Sequence, residues 1–130
     1  MIEDLALLID YPGWTHQDKL NAIAWHANRN AMLFAKDSKG RRSILLFRFL
    51  SDLSDRINRW KHDPDGSIVW IDYMASPTKE LTMHTALEGV ERLAPVKEYV
   101  AFYRQKHPGH ALRVHKYTRT QWLRFMKKLI

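Results

Sequence analysis

The stretch Ser67-Ile68-Val69-Trp70-Ile71-Asp72-Tyr73-Met74-Ala75 decides the fold. It is rich in β-branched and aromatic residues, and neither of its faces is polar until Asp72, a pattern that is typical of a strand covered on both sides. Pro77 ends the pattern, because proline cannot donate to a strand ladder. The sequence therefore predicts a central β-strand over residues 67–75, with one acid inside it.

The residues before this strand predict a helix, a hairpin and a short helix. Thr15 is the expected N-cap of the first of these helices, because Asp18 follows it at capping-box spacing. That helix is expected to end near Asn28 to Asn30. Two apolar runs, residues 31–35 and 43–49, flank the turn formers of residues 37–40 and predict a β-hairpin. Several candidate caps in residues 51–55 favour a short helix that reaches residue 60.

The residues after the central strand predict three more helical segments and one more strand. Helical patterns cover 78–93 and 96–106, an alternating apolar and basic pattern covers 111–117, and a final amphipathic helix covers 118–130. We therefore expect an α+β fold in one domain, residues 1–130, with a mixed β-sheet flanked by helices.

Composition limits the classes of function. The chain has 130 residues and no cysteine, which excludes disulfides, thiolate nucleophiles and cysteine-ligated metals. No apolar run reaches the roughly 20 residues that a membrane span requires, and the acidic start is unlike a signal peptide, so a soluble cytoplasmic protein is expected. The glycines are too dispersed for a nucleotide-binding loop.

Positive charge is concentrated at the C-terminal end. Residues 96–130 contain nine Lys or Arg against one acid, while the whole chain has a net charge of +7. Such a field attracts anions, which include phosphates, nucleic acid, an acidic carrier protein and an anionic lipid surface. Aromatic residues interleave with these cations and could stack on bases, although their helical spacing also fits packing in the core.

Asp72 is the first candidate for chemistry, because a carboxylate in a buried strand is costly unless it is paired or used. One interpretation is a core partner for an arginine or histidine. The other is a general base, or a carboxylate that orients a histidine in an open cleft. His16 and His26, on the first long helix, are its candidate partners. No two histidines have the spacing of a helical metal site, so no metal is expected.

The segment Trp70-Ile71-Asp72-Tyr73-Met74-Ala75 resembles the aromatic–Ile–Asp–aromatic–aliphatic–Ala stretch of the toxin-activating lysine acyltransferases. These are small bacterial proteins of GNAT-like fold that fatty-acylate lysines of RTX toxins. The resemblance covers about residues 20–117. It implies a GNAT-like sheet, acyl transfer from a thioester to an amine, and a strand aspartate that works with a histidine.

This resemblance also implies how the residues would be used. His16 or His26 would take the proton from the amine, and Asp72 would orient that histidine. The acyl donor would be an acyl-carrier protein or acyl-CoA, with no cofactor bound to the chain. The basic residues expected to bind the substrate or the carrier are Arg104, Lys106, Arg113 and Lys116.

A second function remains open from the sequence. The chain could be a non-catalytic basic accessory protein, of the kind carried by phages or mobile elements, that binds nucleic acid or a host protein. The fold could be shared with the acyltransferases without their activity.

Overall fold

A computed structural model describes residues 2–76, 85, 89, 97–104 and 112–129. Its elements follow the order of two helices, two strands, a short 3-10 helix, three strands and a helix. The helices are α1 (Ile2–Ala6), α2 (His16–Ala27) and α3 (Arg119–Leu129), and the 3-10 helix is Leu53–Ile57. The strands are β1 (Met32–Lys36), β2 (Arg42–Leu50), β3 (Ile68–Ala75), β4 (Tyr99–Arg104) and β5 (Arg113–Thr118).

The five strands form one mixed sheet in the order β1-β2-β3-β4-β5. β3 lies in the centre, as predicted, and is antiparallel to β2 and parallel to β4. The other two pairs are antiparallel. The α+β class is therefore confirmed.

Both faces of the sheet are covered. On one face, α1 and α2 pack their apolar side chains against Ile44 and Leu46 of β2. On the other face, Trp122 of α3 packs with Leu45 and Phe47, which alternate with the first pair along the strand. This double covering explains why β2 is a continuous apolar run, in which the buried Arg48 is the exception.

The first helix and the hairpin are confirmed, and the next helix is shorter than predicted. The Thr15 hydroxyl accepts the backbone N–H of Asp18, and the Asp18 carboxylate accepts the backbone N–H of Thr15, so the capping box is complete. The hairpin of β1 and β2 turns at residues 37–41, where Gly40 has a φ of +80°. The predicted helix of residues 51–60 is only a 3-10 helix, Leu53–Ile57, with Asp52 as its N-cap.

The predicted helix over residues 96–106 is wrong, because residues 99–104 form strand β4. Val100 and Phe102 face the cluster under α3, while Tyr99 and Ala101 belong to the cluster on the opposite face. That two-residue alternation and the β-favouring residue types outweigh the helical spacing. β4 also supplies hydrogen-bond partners for the far edge of β3.

The remaining C-terminal predictions have mixed outcomes. Strand β5 and helix α3 lie where the sequence predicts a strand and a final helix. The helix predicted over residues 78–93 lies outside the described residues, apart from Thr85 and Gly89, which have helical backbone. Among the described residues, no helix is long and apolar enough to cross a membrane.

Candidate functional site

A β-bulge places Asp72 in the wall of an open cavity. Strand β3 pairs regularly with β2 up to Ile71 opposite Phe47, and the pairing resumes with Tyr73 opposite Leu46, so Asp72 has no partner on β2. Because the bulge adds one residue, Asp72 and Tyr73 both face the cavity rather than opposite sides of the sheet. The bulge therefore aims two adjacent polar side chains at one site.

The guanidinium of Arg48, on the neighbouring strand β2, binds the Asp72 carboxylate. Its Nε lies 2.8 Å from Asp72 Oδ2 and its Nη2 lies 2.9 Å from Asp72 Oδ1, the paired geometry that is strongest for a guanidinium and a carboxylate. The other Arg48 donors reach the carbonyls of Arg56, Asn58 and Lys61. All five N–H groups of this buried guanidinium thus have acceptors. Arg48 ties the sheet to the 3-10 helix and the segment after it.

His26 completes the group from helix α2. Its Nδ1 lies 2.7 Å from the Ala22 carbonyl, and its Nε2 lies 3.1 Å from Asp72 Oδ2. A carbonyl and a carboxylate only accept hydrogen bonds, so both ring nitrogens must donate. With both contacts made, neither nitrogen has a free lone pair for an incoming proton.

His16, the other candidate histidine, lies away from this group. It begins α2, and its Nε2 is 3.4 Å from Oε2 of the exposed Glu3. Of the two histidines that the sequence proposes as partners of Asp72, the structure brings only His26 to it.

The cavity has a volume of about 350 Å³ and opens to solvent. Aromatic side chains form much of its wall: Tyr11, Trp14, Trp70, Tyr73 and Tyr103. Asp72 remains partly open to it, with 22% of its side chain exposed. The acid thus faces a cleft and also neutralises a guanidinium, so both interpretations of Asp72 describe part of what is found.

Two further arginines give the cavity an excess of positive charge. Arg56 and Arg59 line it, and neither has a carboxylate within ion-pair distance in the described part of the chain. Nη1 of Arg56 donates to the Leu53 carbonyl, but its Nε is buried without a hydrogen-bond partner among the described residues. The guanidinium of Arg59 lies 4.1 Å from the centroid of the Trp14 ring. The lining therefore attracts anions.

Tyr73 adds a neutral polar group. Its hydroxyl accepts the backbone N–H of Asp10 at 2.7 Å, which fixes the loop between α1 and α2 against β3. The hydroxyl hydrogen remains able to donate to a ligand.

The basic residues that the sequence proposes for substrate binding lie elsewhere or outside the description. Arg113 and Lys116 are exposed on the edge strand β5 and do not line the cavity. Lys116 places its Nζ 4.1 Å from the centroid of the Tyr99 ring. The Arg104 side chain and Lys106 fall outside the described residues.

The three arginines of the site are not among the residues predicted from the sequence. Arg48 could have been found, because a cation inside the apolar run of residues 44–49 requires a buried partner. Arg56 and Arg59 follow no such pattern, since their place in the wall depends on how the segment after β2 folds back. No group of three or more metal-ligating side chains occurs among the residues that the structure describes.

Comparison with known proteins gives no match: no family model, no curated protein and no solved structure is significantly similar to this chain.

Proposed function

We propose that this chain is a binding protein for a small anionic group, such as a phosphate or carboxylate, carried by a molecule with a flat or apolar part. The observation that carries the proposal is the pair of cavity arginines, Arg56 and Arg59, which have no acidic partner among the described residues. A guanidinium presents a fork of donors that matches such anions. The aromatic wall would bury the rest of the ligand.

The same geometry favours binding over proton transfer. Both nitrogens of His26 already donate, and Oδ2 of Asp72 already accepts from both His26 and Arg48, so a lone pair remains only on Oδ1, beside its bond to Arg48. A general base requires a free lone pair aimed at the substrate. The His26–Asp72–Arg48 group therefore serves best as a rigid, charged floor for the cavity.

The test is a titration with defined anions. Thermal unfolding and calorimetry would be followed with inorganic phosphate, a nucleoside monophosphate and phosphopantetheine. We expect at least one of them to raise the melting temperature, and Arg56→Ala to weaken its binding about 10-fold or more, since a hydrogen bond to a charged group contributes about 1.5–3 kcal/mol. Lys39→Ala, which removes one charge from the distant hairpin turn, should bind as the unaltered chain does. Equal affinity in the two variants would contradict the proposal.

Acyl transfer is the second candidate, and the 3.1 Å contact of His26 with Asp72 on the cavity wall favours it. It is the function implied by the resemblance of residues 70–75 to the lysine acyltransferases. His26 would first have to release one of its acceptors and give up the proton on that nitrogen to solvent, so that the freed lone pair could take the amine proton. Arg56 and Arg59 would then hold the phosphate of a carrier-borne or CoA-borne donor.

Turnover separates the two candidates. The chain would be incubated with an acyl-CoA or acyl-carrier protein and a lysine-containing peptide, and amide formation followed by mass spectrometry. Transfer that His26→Gln abolishes while ligand binding persists would establish the enzyme. Binding without transfer would leave the binding protein.

A further inference from the structure

A continuous surface of three tryptophans and two arginines runs from the end of α2 to the mouth of the cavity. We define it as the tryptophan–arginine strip, and its members in spatial order are Arg29, Trp25, Trp60, Arg59 and Trp14. The guanidinium of Arg29 lies 4.0 Å from the centroid of the Trp25 ring, and the ring of Trp25 lies 5.2 Å from that of Trp60. The guanidinium of Arg59 lies between the rings of Trp60 and Trp14, 5.0 Å from the centroid of the first and 4.1 Å from that of the second.

The strip is exposed to solvent, and none of the described acids forms an ion pair with its two arginines. Trp60 is 51% exposed, although an indole of this size is usually well covered. Arg29 and Arg59 are also exposed, and the part of the chain that the structure describes offers neither of them a carboxylate within 4.0 Å. Arg59 does interact electrostatically with the carboxylate of Asp18, but that carboxylate already accepts a hydrogen bond in the capping box. The tryptophan rings thus orient the guanidiniums without neutralising them.

This combination of rings and cations fits a single nucleic-acid strand. Its phosphates repeat along one side and its bases can splay out to stack on aromatic rings or on guanidinium planes. The strip offers two guanidiniums for phosphates, with two neighbouring tryptophan rings between them for bases. An anionic bilayer fits less well, because it matches the charge of the strip but offers no planar base to stack on Trp60 beside a guanidinium.

We propose that the tryptophan–arginine strip binds single-stranded nucleic acid, with phosphates on Arg29 and Arg59 and a base stacked on Trp60. This surface goes beyond the anion site of the cavity and differs from the basic C-terminal third that the sequence singles out. Because Trp14 and Arg59 belong both to the strip and to the cavity wall, a strand on the strip would run toward the cavity mouth.

The test measures the fluorescence anisotropy of a labelled 12-nucleotide oligo-dT across a salt series. We expect Trp60→Ala to weaken binding by about 5- to 150-fold, the loss of one stacked base. We expect Arg29→Ala to reduce the slope of log affinity against log salt by about 0.7, the loss of one phosphate contact. Lys39→Ala is the matched control, since it removes one exposed charge from the hairpin turn between β1 and β2, and it should bind as the unaltered chain does.

Two further arms make the result decisive. Trp60→Phe keeps an aromatic face and should recover most of the affinity, which separates stacking from misfolding, and thermal melts verify that each variant is folded. Arg56→Ala should weaken the binding of small anions in the cavity but leave the binding of oligo-dT to the strip unchanged. The two proposals can therefore fail separately. The inference is overturned if an abasic oligomer of the same length binds as well as oligo-dT, if strip and control variants behave alike, if oligo-dT does not bind, or if Trp60 contributes only to binding of phosphatidylserine vesicles.

Discussion

The carboxylate of Asp72 and the guanidinium of Arg48 form two parallel hydrogen bonds, of 2.8 and 2.9 Å, across the centre of the sheet. Arg48 lies opposite Trp70 in the strand register. Because Trp70 precedes Asp72 by two residues, the Arg48–Asp72 pair crosses between the strands diagonally. The guanidinium is almost fully buried, at 1% exposure. The pair is thus a structural element of the sheet as well as the floor of the cavity.

Removal of Arg48 should be severe. We expect Arg48→Met to lower the free energy of unfolding by about 3–5 kcal/mol, because it leaves Asp72 without its counter-ion and also frees three backbone carbonyls. Urea denaturation would measure this. The control is Arg41→Met, which breaks the exposed ion pair with Asp37 and should cost at most about 1 kcal/mol. Similar losses in the two variants would mean that the buried pair contributes nothing special.

The capping box of α2 should contribute a measurable share of stability. Thr15→Ala removes the hydroxyl that accepts the Asp18 N–H and should cost about 1 kcal/mol, whereas Thr15→Ser should cost much less. Hydrogen bonds from Thr15, above all from its backbone N–H, lower the pKa of Asp18 from the ordinary 3.8. A lowered carboxyl pKa stabilises the fold above the unfolded value, and this stabilisation is lost as the pH falls. Urea midpoints of the Thr15 variants at pH 7 would check the first statement, and those of Asp18→Ala at pH 7 and pH 3 the second; an Asp18→Ala loss as large at pH 3 as at pH 7 would refute it.

His62 should make the protein less stable in mild acid. Burial lowers the pKa of His62 from its ordinary value of 6.5, and neighbouring Arg29 lowers it further. Its Nδ1 accepts the backbone N–H of Phe49, so the folded state holds the neutral ring. Below pH 6.5 the unfolded chain binds the proton more readily than the folded chain, so stability falls as the pH falls.

The measurement is the urea midpoint at pH 7.5 and pH 5.5 for the unaltered chain and for His62→Asn, whose amide oxygen can still accept the Phe49 N–H. The variant should lose less stability between the two pH values. Groups other than His62 are the same in the two proteins, so the difference between them reports on His62. An identical loss in both proteins would show that His62 is not responsible.

Gly66 should not tolerate a side chain. A Cβ atom at this position would lie 2.4 Å from the backbone carbon of Leu50, where nothing can move aside cheaply. We expect Gly66→Ala to cost about 3 kcal/mol or more, at or above the upper end for overpacking. Gly13→Ala is the matched variant: it meets open space but has a φ of +84°, so its cost should be about 1–2 kcal/mol. Thermal and urea unfolding would rank the two, and the reverse order would contradict this packing.

The sequence predicts those elements whose signals are local. Thr15 and Asp18 lie within one helical turn, and the hairpin turn of residues 37–40 carries its own turn formers, so both elements could be placed. Strand β4 was missed because Tyr99 to Tyr103 fit two periodicities at once. The strand conformation is stabilised by a contact that is distant in sequence, because β4 pairs in parallel with the edge of β3.

The candidate site could be predicted only in part, for the same reason. Asp72 and His26 are 46 positions apart, and the sequence offers them as candidates without fixing their distance. The bulge at Asp72 has no sequence signal of its own, because it arises from the register between β2 and β3. The second hydrogen bond of His26, to the Ala22 carbonyl, also has no signal in the sequence. This bond occupies the other ring nitrogen, and it therefore favours a structural role for His26 in the cavity floor over a role as a general base.

The extra residue in β3 has a consequence for how the cavity could have been acquired. If Asp72 were deleted in frame, Ile71 and Tyr73 would become neighbours and would keep their present partners, Phe47 and Leu46, in an unbroken ladder. Every other side chain of the strand would stay on its own side of the sheet. The bulge therefore behaves as a one-codon insertion into an otherwise regular strand, and its acid and the buried Arg48 of the neighbouring strand depend on each other, so the two would have to be gained or lost together.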